Sequence, residues 1–331
     1  MSCVLVTGAA GFIGSHLCEA LLAQGVLVRG LDAFTTFYEP RRKRANIAHL
    51  AKDPHFELVE GDLLDVLLDE ALDGVDAIAH LAGEPGVSTS WGPSFARYVD
   101  RNVMATHRLL EAAVDHGVGR VVYASSSSVY GGEANALRAQ GEPRPYSPYG
   151  VSKLAAEALV GAYALSHGLS TVSLRYFSVY GPRQRPDMAA HRFIEALLDG
   201  RPLEDFGDGS QVRDFTYVGD VVNATILALS ADLPRAAVLD VASGRPTAVG
   251  TLIGLLNELV GAGPSAVVQC DERRGDVPRT EGNTHTAHDH LSWSADTPLR
   301  TGLLRQVEWH TGLRSTIASD DDLVLMPSAG T

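Results

Sequence analysis

The sequence predicts an α/β fold: a doubly wound parallel sheet carrying a smaller α/β substrate-binding lobe. Three observations predict it. Short apolar runs alternate with helical patterns through the first 177 residues, the order that builds strand–crossover–strand units. The first apolar run leads straight into a Gly-rich turn that opens a helix. Beyond residue 178 the pattern is less regular and is broken by Gly and Pro, at Gly181-Pro182, Gly207-Asp208-Gly209 and Gly263-Pro264.

In chain order, Cys3–Thr7 reads as a buried strand, followed by a helix from about Phe12 to Gln24. Further strands are expected at Leu27–Asp32, Phe56–Asp62, Ala77–Ala82, Arg120–Ser125 and Thr171–Phe177. The longest helical patterns between them are Ser94–His116 and Tyr149–His167. Near-continuous apolar strands with intervening helices predict a parallel sheet covered on both faces, and crossover handedness makes it doubly wound. Later helices are expected near Met188–Asp199, Val218–Ser230 and Val249–Val260. We therefore expect a dinucleotide-binding domain over 1–177, with segments near 213–243 returning to it, a lobe over 178–314 and a flexible tail over 315–331.

With 331 residues, 45% of them hydrophobic, the chain can bury a large core. A net charge of −13 argues against nucleic-acid binding, so an anionic ligand must be held by local positive charge. Cys3, Cys18 and Cys270 form no metal spacing and no CxxC pair, which suits a reduced cytoplasm. The sequence opens on a strand with no leader pattern, and no apolar run reaches membrane-spanning length.

The first turn reads Gly8-Ala9-Ala10-Gly11-Phe12-Ile13-Gly14. Two glycines let backbone approach a pyrophosphate, the third lets the helix pack on the strand, and the helix N-terminus offers amide donors. The spacing is GxxGxxG rather than GxGxxG, and its position after the first strand gives it weight. Asp32 ends the second strand, 24 residues after Gly8. A carboxylate there accepts from ribose hydroxyls and repels a 2′-phosphate, so NAD is expected over NADP; a solvated turn aspartate is the plain alternative. Asp62, with Leu63, follows the third strand where adenine would lie, and a capping role accounts for it nearly as well.

Tyr149-Gly150-Val151-Ser152-Lys153 puts a phenol and an ammonium on one helix face. A free tyrosine has a pKa of about 10. The ammonium of Lys153 and a positive nicotinamide ring both favour phenolate, so the Tyr149 pKa is expected to fall toward neutrality. Tyr149 then removes a hydroxyl proton while hydride leaves the same carbon. The fifth strand ends Ser125-Ser126-Ser127-Ser128-Val129-Tyr130-Gly131, and hydroxyls at that edge lie where ligands bind in such sheets. A polar turn satisfying its own backbone is the plain alternative.

Gly8–Gly14, His80-Leu81-Ala82, the SSSSVYG segment, YGVSK and Leu174-Arg175-Tyr176-Phe177 resemble the extended short-chain dehydrogenase/reductase family, over roughly residues 3–313. The resemblance implies a Rossmann-type sheet. The segments Val179–Met188 and Gly207–Tyr217 resemble the nucleotide-sugar epimerases of the NAD-dependent epimerase/dehydratase group. Within that group, Pro85-Gly86-Val87-Ser88-Thr89-Ser90-Trp91-Gly92 together with GPRQRPDM most resembles bacterial UDP-glucuronate 4-epimerases.

This resemblance implies a set of roles. Ser126 matches the hydroxyl beside Tyr149, and Lys153 also binds the nicotinamide ribose. Ala10, Leu81, Ala82, Gly83 and Asn102 belong to the cofactor site, Asn102 from within a helix behind it. Ser127, Ser128 and Ser178 surround the C5 substituent, here a carboxylate, with Arg185 beside the substrate. Arg213 and Arg273 match pyrophosphate-binding arginines and Asp276 the uridine ribose; Arg forks suit such anions. A solvated loop arginine is the plain alternative for Arg185, and a surface ion pair for Arg213 and Arg273.

The sequence departs from the family in three places, of which the first two bear on the sugar. Ser88 stands where relatives tend to have Arg, and Ser178 where they have Thr or Asn. His285-Thr286-Ala287-His288-Asp289-His290 replaces a usual Ala-Asp-x-Ser-Lys-Ala stretch; it is expected to be a surface connection, and no metal is expected.

The implied reaction is a hydride loan to tightly bound NAD through a 4-keto sugar, inverting C4 of a UDP-linked sugar, foremost UDP-glucuronate. Alternatives are a neutral UDP-hexose, a uronic acid on another nucleotide or nucleoside, and a decarboxylase or 4,6-dehydratase. Members of those last two classes carry acidic residues in the serine run, where this chain has Ser127 and Ser128. A non-catalytic NAD-binding scaffold is the alternative outside enzymes. Leu109, Leu110, Ala113, Leu154, Ala158 and Leu159 give two helices a wide apolar arc. The family resemblance implies that such helices pair across a two-fold axis into a four-helix bundle, so a homodimer is expected, with packing against the sheet as the plain alternative for part of the pattern.

Overall fold

The computed structural model describes residues 1–131, 142–261, 263 and 265–324. Seven strands form the main sheet: β1 (Cys3–Thr7), β2 (Leu27–Asp32), β3 (Phe56–Glu60), β4 (Ala77–His80), β5 (Arg120–Ser126), β6 (Thr171–Tyr176) and, from the second half of the chain, β11 (Ala237–Val241). All neighbours are parallel, in the order β11-β6-β5-β4-β1-β2-β3. The chain winds outward from β1 through β2 to β3, then returns to start again at β4 on the other side of β1. The crevice between the C-terminal ends of β1 and β4 is the switch point at which ligands bind in such sheets.

Strand side chains alternate between two cores, as a period of two requires. Val4, Val6, Val28, Ala79, Val122 and Leu174 pack under helices Phe12–Leu22 and Val218–Ser230. Leu5, Leu31, Ile78, Val121 and Tyr123 pack under helices Ala105–Asp115 and Pro148–His167. Burial on both faces explains why these strands read as continuous apolar runs. The helix expected over Ser94–His116 is not uniform. An α-turn at Phe95–Tyr98 gives way to a wider π-type turn at Val99–Met104 before regular α-helix resumes at Ala105. Helix Pro40–Ile47, which the sequence pattern did not suggest, closes the region after β2.

The lobe is built around helices Ala189–Leu198 and Val249–Val260, whose Phe193, Ile194, Leu252 and Leu256 share a core with Leu303 and Val307 of the terminal helix. Three small strand pairs decorate it: β7 (Val179–Tyr180) with β10 (Thr216–Tyr217), β8 (Leu203–Phe206) with β13 (Val267–Cys270), and β9 (Val212–Asp214) with β12 (Pro246–Ala248). From the 213–243 segment, helix Val218–Ser230 and β11 join the main sheet, whereas β9 and β10 stay in the lobe pairs. The terminal helix runs from Leu299 to Val324, past the point at 315 where a tail was expected; 325–331 lie outside the described residues. Among the described residues, no helix is long and apolar enough to cross a membrane.

Candidate active site

Gly8 follows β1 with φ +70°, a left-handed conformation that costs a side-chain-bearing residue energy. Its amide donates to Leu31 O at 2.7 Å, turning the chain toward β2. A Cβ on Gly14 would lie 2.1 Å from Gly8 O, so the helix starting at Phe12 presses directly on the turn. A Cβ on Gly8 would lie 2.9 Å from Ala82 N, so the ends of β1 and β4 also meet without room for a side chain. Backbone amides and a helix N-terminus thereby line the crevice, the chemistry a pyrophosphate needs. Asp32, almost fully buried at the end of β2, accepts from Ala10 N (3.1 Å) and Phe34 N (2.8 Å), and Lys43 Nζ stands 3.6 Å away. The carboxylate thus braces the turn as well as facing the crevice. These features fit a dinucleotide.

On the other rim, Leu81 N and Ala82 N both donate to Thr7 Oγ1. The π-type turn holds Asn102, whose side chain accepts from Glu84 N (2.7 Å) and donates to Glu84 O (3.1 Å) and Ser152 Oγ (2.9 Å). Ser152 Oγ in turn donates to Tyr149 O at 2.8 Å. One wide turn therefore ties the loop after β4 to the first turn of the helix carrying Tyr149, and such turns recur at functional sites. Asp62 caps its own turn through Leu64 N, so that plainer role is real.

Ser147 caps helix Pro148–His167 by accepting from Gly150 N, with Pro148 at its first position. That start fixes Tyr149 and Lys153 one turn apart on the face beneath the crevice. The Lys153 ammonium is buried 4.5 Å above the Tyr123 ring. Burial lowers its pKa to about 7, opposed by the charge of Glu157. Burial also raises the pKa of the Tyr149 phenol, opposed first by a Ser126 hydrogen bond and then by the Arg185 guanidinium. The expected fall toward neutrality rests on the ammonium of Lys153 together with a positive nicotinamide ring; the protein's own groups by themselves leave the phenol above its ordinary value. Desolvation of the enclosed phenol outweighs the opposing effects of Ser126 and Arg185.

The remaining residues come from the turn after β5 and from the lobe. Ser127 and Ser128 form a single turn in which Ser128 N donates to Ser126 Oγ. Ser178, between β6 and β7, holds φ +27°, a strained conformation for serine. Arg185 pairs with Asp187 through two bonds of 3.0 and 2.9 Å. Arg213 pairs with Asp276 at 2.5 Å, and the Arg273 guanidinium lies 3.7 Å over the Phe206 ring. One cleft of about 980 Å³ is lined by every residue the sequence singled out for the cofactor, the chemistry or the substrate, except Ala10. Ala10 is fully buried behind the turn.

Sequence reasoning missed several cleft residues. Glu84 is a buried acid held by Arg101 at 2.6 Å. Lys43, Tyr38, Asp187 and Phe206 also line the cleft. No motif marks Lys43, Tyr38 or Phe206; Asp187, inside the GPRQRPDM segment and two residues from Arg185, carried the clearest signal. The His285–His290 stretch lies in helix Thr284–Leu291, with Ala287 buried and His285, His288 and His290 exposed, rather than in an irregular connection. Elsewhere, His191, Glu195 and His310 cluster with ligand atoms within 4.8 Å, but Glu195 also pairs with Arg314, and Arg42 stands against His191.

Comparison with known proteins agrees with this geometry. The pattern of the NAD dependent epimerase/dehydratase family matches residues 4–240. The UDP-glucuronate 4-epimerase of Thermodesulfobacterium geofontis (strain OPF15) is 34% identical over 315 residues, covering 93% of this chain and 96% of that protein. UDP-glucuronic acid 4-epimerase from Bacillus cereus, solved with UDP-glucuronic acid and NAD, has a TM-score of 0.91 at 38% identity, covering 94% of this chain and 99% of that one. MoeE5, solved with the same two molecules, has a TM-score of 0.85 at 43% identity, covering 94% and 99%; it has also been solved with UDP-glucose and NAD. The chain therefore belongs to the NAD-dependent epimerase/dehydratase family.

Proposed function

We propose that the chain inverts C4 of a UDP-linked hexuronic acid, interconverting UDP-glucuronate and UDP-galacturonate. The observation that carries this reading is the shared cleft: a dinucleotide-type turn, the Ser126–Tyr149–Lys153 set and a rim of serines and arginines open onto one space. Bound NAD supplies the hydride acceptor and donor at C4, and a positive ring that favours the Tyr149 phenolate. Tyr149 takes the C4 hydroxyl proton and later returns it. Ser126, which lines the same cleft beside the phenol, orients that hydroxyl. Lys153 adds positive charge beneath both groups and binds the nicotinamide ribose, and Asp32 accepts from the adenosine ribose. Arg213 and Arg273 hold the pyrophosphate, and Asp276 leaves its pairing with Arg213 in part to accept from the uridine ribose.

A hexuronic acid oxidised at C4 is a β-keto acid, which loses carbon dioxide when its C5–carboxylate bond stands perpendicular to the carbonyl plane. Ser127, Ser128 and Ser178 hold the carboxylate out of that alignment, with Arg185 nearby. The absence of acidic side chains from the serine run supports epimerisation over dehydration or decarboxylation. A neutral UDP-hexose is the second reading, favoured by the UDP-glucose bound to MoeE5 and by Ser88. Incubation with UDP-glucuronate, UDP-galacturonate, UDP-glucose and UDP-N-acetylglucosamine without added NAD tests both. Epimer from the uronic acids is expected; turnover of the neutral sugars alone overturns the hexuronic reading.

We also assign the chain to the cytoplasm, on its three free cysteines, and to a homodimer. Leu109, Leu110 and Ala113 are taken up in this chain's own core, so they do not support the pairing. The support is now Met104, Val151 and Leu165, apolar side chains exposed on the same helices. Light scattering giving the mass of one chain would overturn the dimer.

A further inference from the structure

Behind the serine turn lies a buried ionic network that the mechanism above does not use. Arg175 sits on β6 beside Ser125, its register partner on β5. Its Nε and Nη2 donate to the Glu157 carboxylate of helix Pro148–His167 at 3.0 and 2.5 Å. The same carboxylate accepts from Ser125 Oγ at 2.6 Å. Arg175 Nη1 donates to Tyr130 OH at 2.7 Å, and the guanidinium carbon lies 4.7 Å from the centre of the Tyr130 ring. Tyr130 OH donates in turn to Asp240 Oδ1 on β11 at 2.7 Å, and Asp240 Oδ2 accepts from Asn283 N at 2.9 Å. Ser125, Tyr130, Glu157 and Asp240 are all buried. Ser125 and Tyr130 flank the segment that carries Ser126, Ser127 and Ser128. One guanidinium therefore reaches both ends of that segment, directly at Tyr130 and through Glu157 at Ser125.

We propose that Arg175 is a positioning residue: by tying Ser125 to Tyr130 it fixes the turn between them and so aims the hydroxyls of Ser126, Ser127 and Ser128. This rests on reading those hydroxyls as the groups that meet the sugar. The turn's own bonds, Ser128 N to Ser126 Oγ and Tyr130 N to Ser127 O, both at 3.1 Å, set its shape but not its tilt against the sheet. A Cβ on Gly150 would lie 2.4 Å from Ser128 O, so the turn also rests directly on the start of the helix carrying Tyr149. A tilt therefore changes the spacing between the hydroxyls and the phenol, and their approach to the cleft that all three serines line. Swapping a buried ion pair for apolar groups of similar volume is often neutral for stability, so stability alone gives Arg175 and Glu157 little reason to be here. The planar fork supplies one: it bonds two separate partners at once, which the point charge of a lysine does not reproduce. When the turn loosens, a 4-keto hexuronic acid reaches the perpendicular alignment more often. Its C5–carboxylate bond then breaks and carbon dioxide leaves. The electron pair left behind forms an enolate, which takes a proton from water at C5; return of hydride and proton to C4 gives UDP-pentose.

The test compares wild type with Ser125→Ala, Tyr130→Phe and Arg175→Lys, all loaded with NAD. The first two each cut one tie and leave the Arg175–Glu157 pair whole; the third keeps the charge but not the fork. Hydrogen exchange read by mass spectrometry follows the amides of 126–131 without any substrate. Each variant should exchange there about tenfold faster, because a hydrogen bond to a charged group is lost, while β1 and the Gly8–Gly14 turn should match wild type. With UDP-glucuronate, the share of UDP-pentose should rise several-fold while KM and NAD content stay at the wild-type values. A general weakening of the fold would not produce that split. Unchanged exchange in the turn of folded Ser125→Ala and Tyr130→Phe overturns the proposal, and these two decide it even if Arg175→Lys fails to fold. Faster exchange with an unaltered product ratio in an active enzyme would make the network merely structural and is equally fatal. A wild type inactive on every UDP-sugar would sink the functional reading, while the exchange rates would still decide whether Arg175 holds the turn.

Discussion

Replacing Gly14 with alanine tests whether the first turn is built by contact rather than by composition. The added Cβ would sit 2.1 Å from Gly8 O, 2.9 Å from Gly8 C and 3.0 Å from Ala9 Cα. To reach even 3.0 Å from that oxygen, the start of the helix must retreat by 3.0 − 2.1, about 0.9 Å. All three obstructing atoms are backbone, so no side chain can swing aside. Overpacking of this kind typically costs 1–3 kcal/mol, and a backbone-only clash belongs at about 3 kcal/mol. The amides facing the crevice move with the helix, and a misplacement near 1 Å can cost about a hundredfold in rate. Gly254→Ala is the control: it lies inside helix Val249–Val260 with nothing within 4 Å of its added Cβ. There, alanine should stabilise by about 0.5–1 kcal/mol through helix propensity. Urea unfolding gives both free energies, and the NAD released on denaturation reports cofactor retention. If Gly14→Ala kept wild-type stability and wild-type NAD content, the close-approach account of the turn would be wrong.

Other consequences follow from the same geometry. Tyr149→Phe should lower kcat by about 10³-fold or more while leaving bound NAD and KM nearly intact, measured by epimer formation; full activity would exclude Tyr149 as the proton carrier. Single alanine substitutions at Ser127, Ser128 and Ser178 should raise the share of UDP-pentose among the products, read by chromatography, and unchanged ratios would remove these hydroxyls from carboxylate control. His80 and His191 carry pKa values lowered by burial to about 3 and about 4. As pH falls from about 6.5 toward 4 the unfolded chain protonates both while the native chain resists, so each should take away about 1.4 kcal/mol of stability per pH unit, beside smaller losses from His16 and His310, which burial also lowers. His80→Asn should lower that slope by one proton's share, about 1.4 kcal/mol per pH unit, in urea unfolding at stepped pH; an unaltered slope would mean that His80 titrates normally.

How much of this was legible in the sequence follows from the range over which each feature is determined. The strands and helices of the main sheet were readable because burial on both faces forces apolar runs, and each run is a local pattern. The Gly8–Gly14 turn was readable for the same reason, since its clash and its φ are set within seven residues. The strand β11 left little trace, because an edge strand leaves side chains such as Val238 exposed and weakens the apolar signal. The wide turn at Asn102 was invisible, because an i+5 helical turn keeps the helical periodicity on either side. It shows itself only through Glu84 and Ser152, whose contacts with Asn102 span 18 and 50 residues. The direction in which the protein alone shifts the Tyr149 phenol was hidden for a related reason. The spacing of Tyr149 and Lys153 reveals the attraction between phenol and ammonium but not the desolvation of both, which depends on everything packed above them. A motif can therefore name the groups that react, while the contacts that hold them in place come from residues such as Asn102 and Glu84, brought together from separate elements by the fold.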